Sequence, residues 1–151
     1  MNKSLQPLLL AIPNISEGRN PAFIERCAEA IQLIEGVKLI DHSSDPDHNR
    51  SVFTYLGPPL AVLEASQALA QLVVQEIDMR NHRGSHPRLG ALDVMPFVPL
   101  RNMEMKEAVE ISRQMGKFLG ELGVPVYYYC LLYTSDAAGD LLCVDLGGRR
   151  I

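Results

Sequence analysis

The hydrophobic pattern of this chain predicts an α+β fold: a ferredoxin-like βαββαβ sandwich with an extra α-β unit, its helices on one face of a mixed sheet. Three observations lead there. Short β-rich runs alternate with longer stretches whose apolar residues recur every three or four positions. Two β-rich runs follow one another across a polar turn, as an antiparallel pair would. Pro, Gly and Asn punctuate the junctions.

Leu8–Ile12 is a short apolar run that reads as a buried strand. It leads into PNISEGRNP, a loop rich in breakers. Asn20 followed by Pro21 is a helix entry, because the Asn side chain can accept an orphan N–H and proline needs no donor at the first position. Phe23, Cys27, Ala30, Ile31 and Ile34 then share one helical face, and Gly36 ends it. Val37–Asp41 is strand-like, HSSDPDHN is a polar turn, and Ser51–Leu56 alternates as the partner strand. Pro58 and Pro59 open a second helix with Val62, Ala65, Leu69, Leu72 and Val73 on one side. A long polar connection, Asp78–Gly90, precedes the strand Leu92–Val98. Ala108, Ile111, Met115, Phe118, Leu119 and Leu122 form a third stripe closed by Gly123, and Val124–Tyr129 is a last strand.

The composition bounds the function. A chain of 151 residues with 47% hydrophobic and 21% charged residues suits one globular domain. A net charge of −4 without a basic block argues against nucleic acid or an anionic membrane as partner. No apolar run is long enough to span a bilayer, and no signal peptide is legible, so a cytoplasmic protein is expected. Cys27, Cys130 and Cys143 are scattered and form neither a disulfide framework nor a CxxC site.

The polar chemistry gathers in three connections: PNISEGRN, DHSSDPDHNR and NHRGSHPRLGALD at residues 81–93. Strand-end loops can converge at one edge of such a sheet, where a rigid scaffold positions them. In the third, Pro87 fixes the backbone after His86 and biases His86 toward an extended conformation. A braced imidazole suits proton transfer in both directions at neutral pH. Arg88 can bind a carboxylate with a planar fork, and Asp93 can orient a ring nitrogen or hold Arg88. A loop histidine is more often a surface or hydrogen-bonded structural residue, so His86 alone is ambiguous. His82 and His86 stand four apart, but Gly84 and Pro87 argue against the helix that a metal pair needs. Asp41, Asp45 and Asp47 lack EF-hand spacing and read as turn and cap residues. Asn49 and Arg50 either face a ligand or stabilise the turn. Asn14-Ile15-Ser16 has the form of a glycosylation acceptor, relevant only in a secreted chain.

IPNISEGRN, LIDHSSDPDHNRSVFTYLG, IDMRNHRGSHPRLGALDVMPFVPL and LGVPVYYY resemble, in order from about Ala11 to Tyr129, the N-terminal half of the glutamate formiminotransferases. The same half opens the bifunctional formiminotransferase-cyclodeaminases. GSHPRLGALDVMPF is the most specific part. The resemblance implies transfer of a formimino group from N-formimino-L-glutamate to tetrahydrofolate in histidine degradation, with tetrahydrofolate as cosubstrate and no metal. It implies that the histidine before Pro-Arg, His86, is the general acid/base. Arg88 and Arg50 are then candidates for the substrate carboxylates, and Asn49, Asn14, His82 and Asp41 for further substrate contacts. Some relatives carry an acidic residue where Ser43 stands, so that carboxylate has no counterpart here. The family packs two such halves with folate between them. A missing C-terminal formiminotransferase subdomain is therefore an expected partner, within a homo-oligomeric parent enzyme, and the present segment alone is expected to be inactive. The alternatives are a non-catalytic folate- or protein-binding module, and a metal hydrolase using His42, His48, His82 and His86.

The segment 130–151 has a different texture. Back-translated, CLLYTSDAA and CVDLGGRRI resemble a transposase-end adapter followed by a flow-cell adapter from sequencing libraries. Residues 1–129 are accordingly expected to be the native subdomain and 130–151 an adapter-encoded tail, the alternative being a C-terminal hairpin.

Overall fold

The computed structural model describes residues 5–85, 88–129 and 142–145, the last four and Tyr129 by their backbone. Its elements are β1 (Leu8–Ala11), β2 (Asn14–Ile15), α1 (Pro21–Gln32), β3 (Lys38–Asp45), β4 (Arg50–Gly57), α2 (Pro59–Glu76), β5 (Leu92–Arg101), α3 (Met105–Glu121), β6 (Tyr127–Tyr129) and β7 (Leu142–Asp145). A 3-10 turn, Met79–Asn81, follows α2.

β1 and β2 lie along one line, both paired to β4 on one side and β5 on the other. β3 pairs with β4 at one edge, and β7 then β6 continue the sheet beyond β5. Without β6 and β7 this is the ferredoxin-like order. The expectation of a mixed sheet is corrected: every described pairing is antiparallel. Each helix joins two strands that run the same way, and an oppositely directed strand lies between them, so no parallel pair forms.

Helix entry follows the local chemistry. The Asn20 side chain accepts the Phe23 N–H at 3.1 Å, with Pro21 opening the first turn. Gly36 and Gly123 take φ values of +89° and +78°, the left-handed exits that their missing side chains permit. At α3 the cap differs: Glu104 and Glu107 form a reciprocal capping box.

Burial divides the sheet. Along β4, Ser51, Phe53, Tyr55 and Gly57 are buried while Arg50, Val52, Thr54 and Leu56 are half-exposed. The buried set packs with Leu9, Ala11, Met95 and Phe97 against Cys27 and Ile31 of α1, Val62, Leu69 and Val73 of α2, and Met115 and Leu119 of α3. Tyr55 places its hydroxyl 2.6 Å from Ser66 Oγ, which donates to the Val62 carbonyl at 2.7 Å. A buried phenol thus keeps a partner.

Two local expectations change. Asn14 and Ile15, read as loop, form β2, because the backbone resumes its pairing after a break at Ile12 and Pro13. The polar stretch after Asp41 is strand as far as Asp45. An edge strand tolerates polar side chains, and here Ser44 and Ser51 hydroxyls meet across the pair at 2.9 Å.

Phe97 is fully buried, so Phe97→Ala is expected to cost about 3–5 kcal/mol in denaturant unfolding. Leu33→Ala, at an exposed position, should stay within about 0.5 kcal/mol of the parent. Burial pushes the Cys27 thiol up to about 12, against a small opposing pull from Arg26. Thiolate is the reactive form. Peptide mass spectrometry should therefore find Cys27 unalkylated by iodoacetamide at pH 8 in the native protein and alkylated in urea.

Candidate functional site

The turn between β3 and β4 is built on one carboxylate. Asp45 Oδ1 accepts the N–H groups of Asp47 (2.9 Å) and His48 (3.0 Å), and Oδ2 lies 2.7 Å from His48 Nδ1. These bonds, those from His48 foremost, hold the Asp45 carboxyl below the usual range. Asn49 closes the turn with φ +52°, a left-handed conformation that asparagine tolerates better than most residues.

Asn49 is 7% exposed and touches two other connections. The Gly18 N–H donates to its Oδ1 at 2.8 Å. Its Nδ2 donates to the Arg83 carbonyl at 2.9 Å, and its own carbonyl accepts from His82 Nε2 at 3.3 Å. The approach demands small residues: a side chain at Gly18 would strike the Asp45 carbonyl and Arg50 N, and one at Gly84 would strike the His48 carbonyl.

The described parts of the third connection are pinned. Ser85 donates twice to the Asp47 carbonyl, from N at 3.1 Å and from Oγ at 3.2 Å. Arg88 Nη2 donates to the Gly84 carbonyl at 3.2 Å, and Asp93 Oδ1 accepts the Leu89 N–H at 2.7 Å. Ser16 holds the exit, its Oγ donating to the Gly90 carbonyl at 2.6 Å and its N–H to the Ala91 carbonyl at 2.8 Å. His86 and Pro87 lie outside the described residues, so the expected acid/base has no described geometry; the chain is anchored at Ser85 before it and at Leu89 after it.

His82 belongs to this seam. With Nε2 protonated, as the Asn49 carbonyl requires, Nδ1 is a buried lone pair without a hydrogen-bond partner among the described residues. Burial, and then the Arg88 charge, lower its pKa from the ordinary 6.5. With the native pKa below the unfolded one, the stability this group contributes is full above 6.5 and is lost as pH falls, because the unfolded state takes up the proton first.

The other expected site residues share the face away from the helices. Register pairs Asp45 with Arg50, Ser43 with Val52, Val52 with Asn14, Asn14 with Val94, and Asp41 with Thr54. Alternation places all of these opposite the buried set. Asn14, Asp41 and Arg50 thus form a polar group on a surface that also carries Val52, Val94 and Leu10. Asn14 donates locally to the Ile12 carbonyl at 3.2 Å.

The structure separates what the sequence grouped. His42 stacks on Phe53 with ring centroids 5.7 Å apart, on the helix side of the sheet, opposite Asp41. His48 is engaged at the turn and His82 at Asn49. Among the described residues, no three His, Cys, Asp or Glu side chains gather as metal ligands. Asp93, expected to orient a ring nitrogen or hold Arg88, accepts the Leu89 backbone N–H through Oδ1. Ser16 and Gly18 were expected only as part of a polar loop that could supply further contacts, without their actual partners. Nothing in a lone serine marks a partner 74 residues away, and Gly18 carries only the general signal of a loop glycine.

Comparison with known proteins gives these loops a context. The family described as formiminotransferase domain, N-terminal subdomain, matches residues 8–141. The glutamate formimidoyltransferase of Streptococcus pyogenes serotype M1 is 46% identical over 119 residues, 78% of this chain and 40% of that protein. The Thermoplasma acidophilum protein of the same name is 44% identical over 138 residues, 91% of this chain and 46% of its own length. The formimidoyltransferase-cyclodeaminase of Rattus norvegicus is 43% identical over 126 residues, 83% of this chain and 23% of its own. The chain thus spans less than half the length of these relatives. With 8–141 matched, it belongs to the formiminotransferase domain family, as an N-terminal subdomain.

Proposed function

We propose that this segment supplies the acid/base half of a transferase that moves a formimino group from N-formimino-L-glutamate to tetrahydrofolate. One observation carries the reading: the loop that brackets His86 is pinned, at Ser85 and Leu89, to the sheet end that bears Asn49 and Arg50. The names of the relatives supply the reaction class.

When bound, tetrahydrofolate supplies the nucleophilic nitrogen that takes the formimino carbon. His86 accepts the proton that this nitrogen loses and returns it to the glutamate nitrogen that departs. One imidazole serves both transfers, so the proton count balances and no metal is needed. Arg88 and Arg50 bind the carboxylates of the glutamyl group through planar guanidinium forks. Asn14 and Asp41 meet polar edges on the open sheet face. His82 and Asn49 stand beside this site. A C-terminal subdomain forms the opposite wall of the cleft in a homo-oligomeric, cytoplasmic enzyme. Among the described residues, no helix is long and apolar enough to cross a membrane.

The adapter origin of residues 130–151 is a separate proposal and rests on back-translation alone. The family match through residue 141 and the pairing of β7 with β5 weigh against it. Reads of the parent gene across codon 129 decide the matter.

In the complete transferase, His86→Ala is expected to keep its fold and lower kcat by about 10²–10⁴-fold. A variant with unchanged kcat would remove His86 from the chemistry. Residues 1–129 alone should turn over no faster than a protein-free blank in a spectroscopic assay of the folate product. Measurable turnover there would show that the second wall is dispensable.

A further inference from the structure

We propose that Asn49 is a positioning residue of the transferase site, one whose carboxamide and carbonyl set the segment at His82 and Arg83 in register with the loop after β2. This rests on the functional reading above and adds a residue to it. The carboxamide is used at both ends, by the Gly18 N–H at 2.8 Å and the Arg83 carbonyl at 2.9 Å. The backbone carbonyl takes the third tie, from His82 Nε2 at 3.3 Å. Asn49 is nearly buried, and its φ of +52° aims the carboxamide between two segments that lie 31 and 34 positions away in sequence. Arg83 lies three residues before His86, and Arg50 follows Asn49 directly. A shift of this node therefore moves both a candidate carboxylate-binding group and the loop that carries the acid/base. Asn49 itself, with its polar groups spent on protein, makes no substrate contact in this account.

Among the described residues, charged and titratable groups near the node include Glu17 and Arg88, both acting on His82, with Asp45 and His48 in the adjoining turn. None of them supplies the bonds that Asn49 makes to Gly18 and Arg83. Its role is one of shape, since misplacement by about 1 Å can cost on the order of 10²-fold in rate.

Asn49→Gly is the informative variant, because glycine adopts the left-handed backbone freely and removes only the carboxamide. In the 151-residue chain, amide hydrogen exchange at Gly18 should lose protection in Asn49→Gly. Retained protection would overturn the proposal. In the complete transferase, the same variant should lose on the order of 10²-fold in kcat and also raise KM for N-formimino-L-glutamate, since Arg50 moves with the node. A parental kcat with only a lowered Tm would reduce Asn49 to a structural role and overturn the proposal. If the parental enzyme itself shows no formimino transfer, the functional reading fails, and the exchange at Gly18 still reports whether the node exists.

Discussion

Three connections meet at one end of this sheet only because each satisfies the backbone polar groups of another. Loops have no ladder to absorb their N–H and C=O groups, and a buried group left unpaired costs about 1–3 kcal/mol. Asn49 and Ser16 meet that demand across long sequence separations, and Gly18 and Gly84 let the backbones come close enough for it. Remove these contacts and the strands still pair, but fewer bonds, such as those of Ser85 to the Asp47 carbonyl, set the loops relative to one another.

The same strands separate stability from chemistry. Alternation along β4 sends Phe53 and Tyr55 into the helical layer and leaves Val52, Thr54 and Arg50 on the other side. The helix-side layer can be packed tightly without touching the polar group formed by Asn14, Asp41 and Arg50. His42 shows how sharp the division is. It neighbours Asp41 in sequence, yet it stacks on Phe53 on the opposite side of the sheet.

Much of the fold was legible because its signals are local. Asn20 with Pro21 marks a helix start, and Gly36 and Gly123 mark helix ends, for reasons confined to a few residues. The stripes of all three helices follow from their apolar spacing. Strand limits were less legible. The polar end of β3 looks like turn, since composition does not reveal that an edge position spares it from burial. β2 was hidden in a breaker-rich loop because two residues carry no periodicity. Strand direction was misjudged in part because it depends on which strands become neighbours.

For the site, the sequence determined the chemistry on offer: a histidine followed by proline, guanidinium groups at Arg50 and Arg88, and glycines where backbones crowd. These follow from side-chain identity and short-range sterics. The tertiary structure alone decided which groups meet. Asn49 serves the loops, His42 leaves the site, and Asn14, Asp41 and Arg50 share a surface. Such outcomes depend on register and on contacts across dozens of residues, and a one-residue change in pairing would send each side chain to the opposite face of its strand.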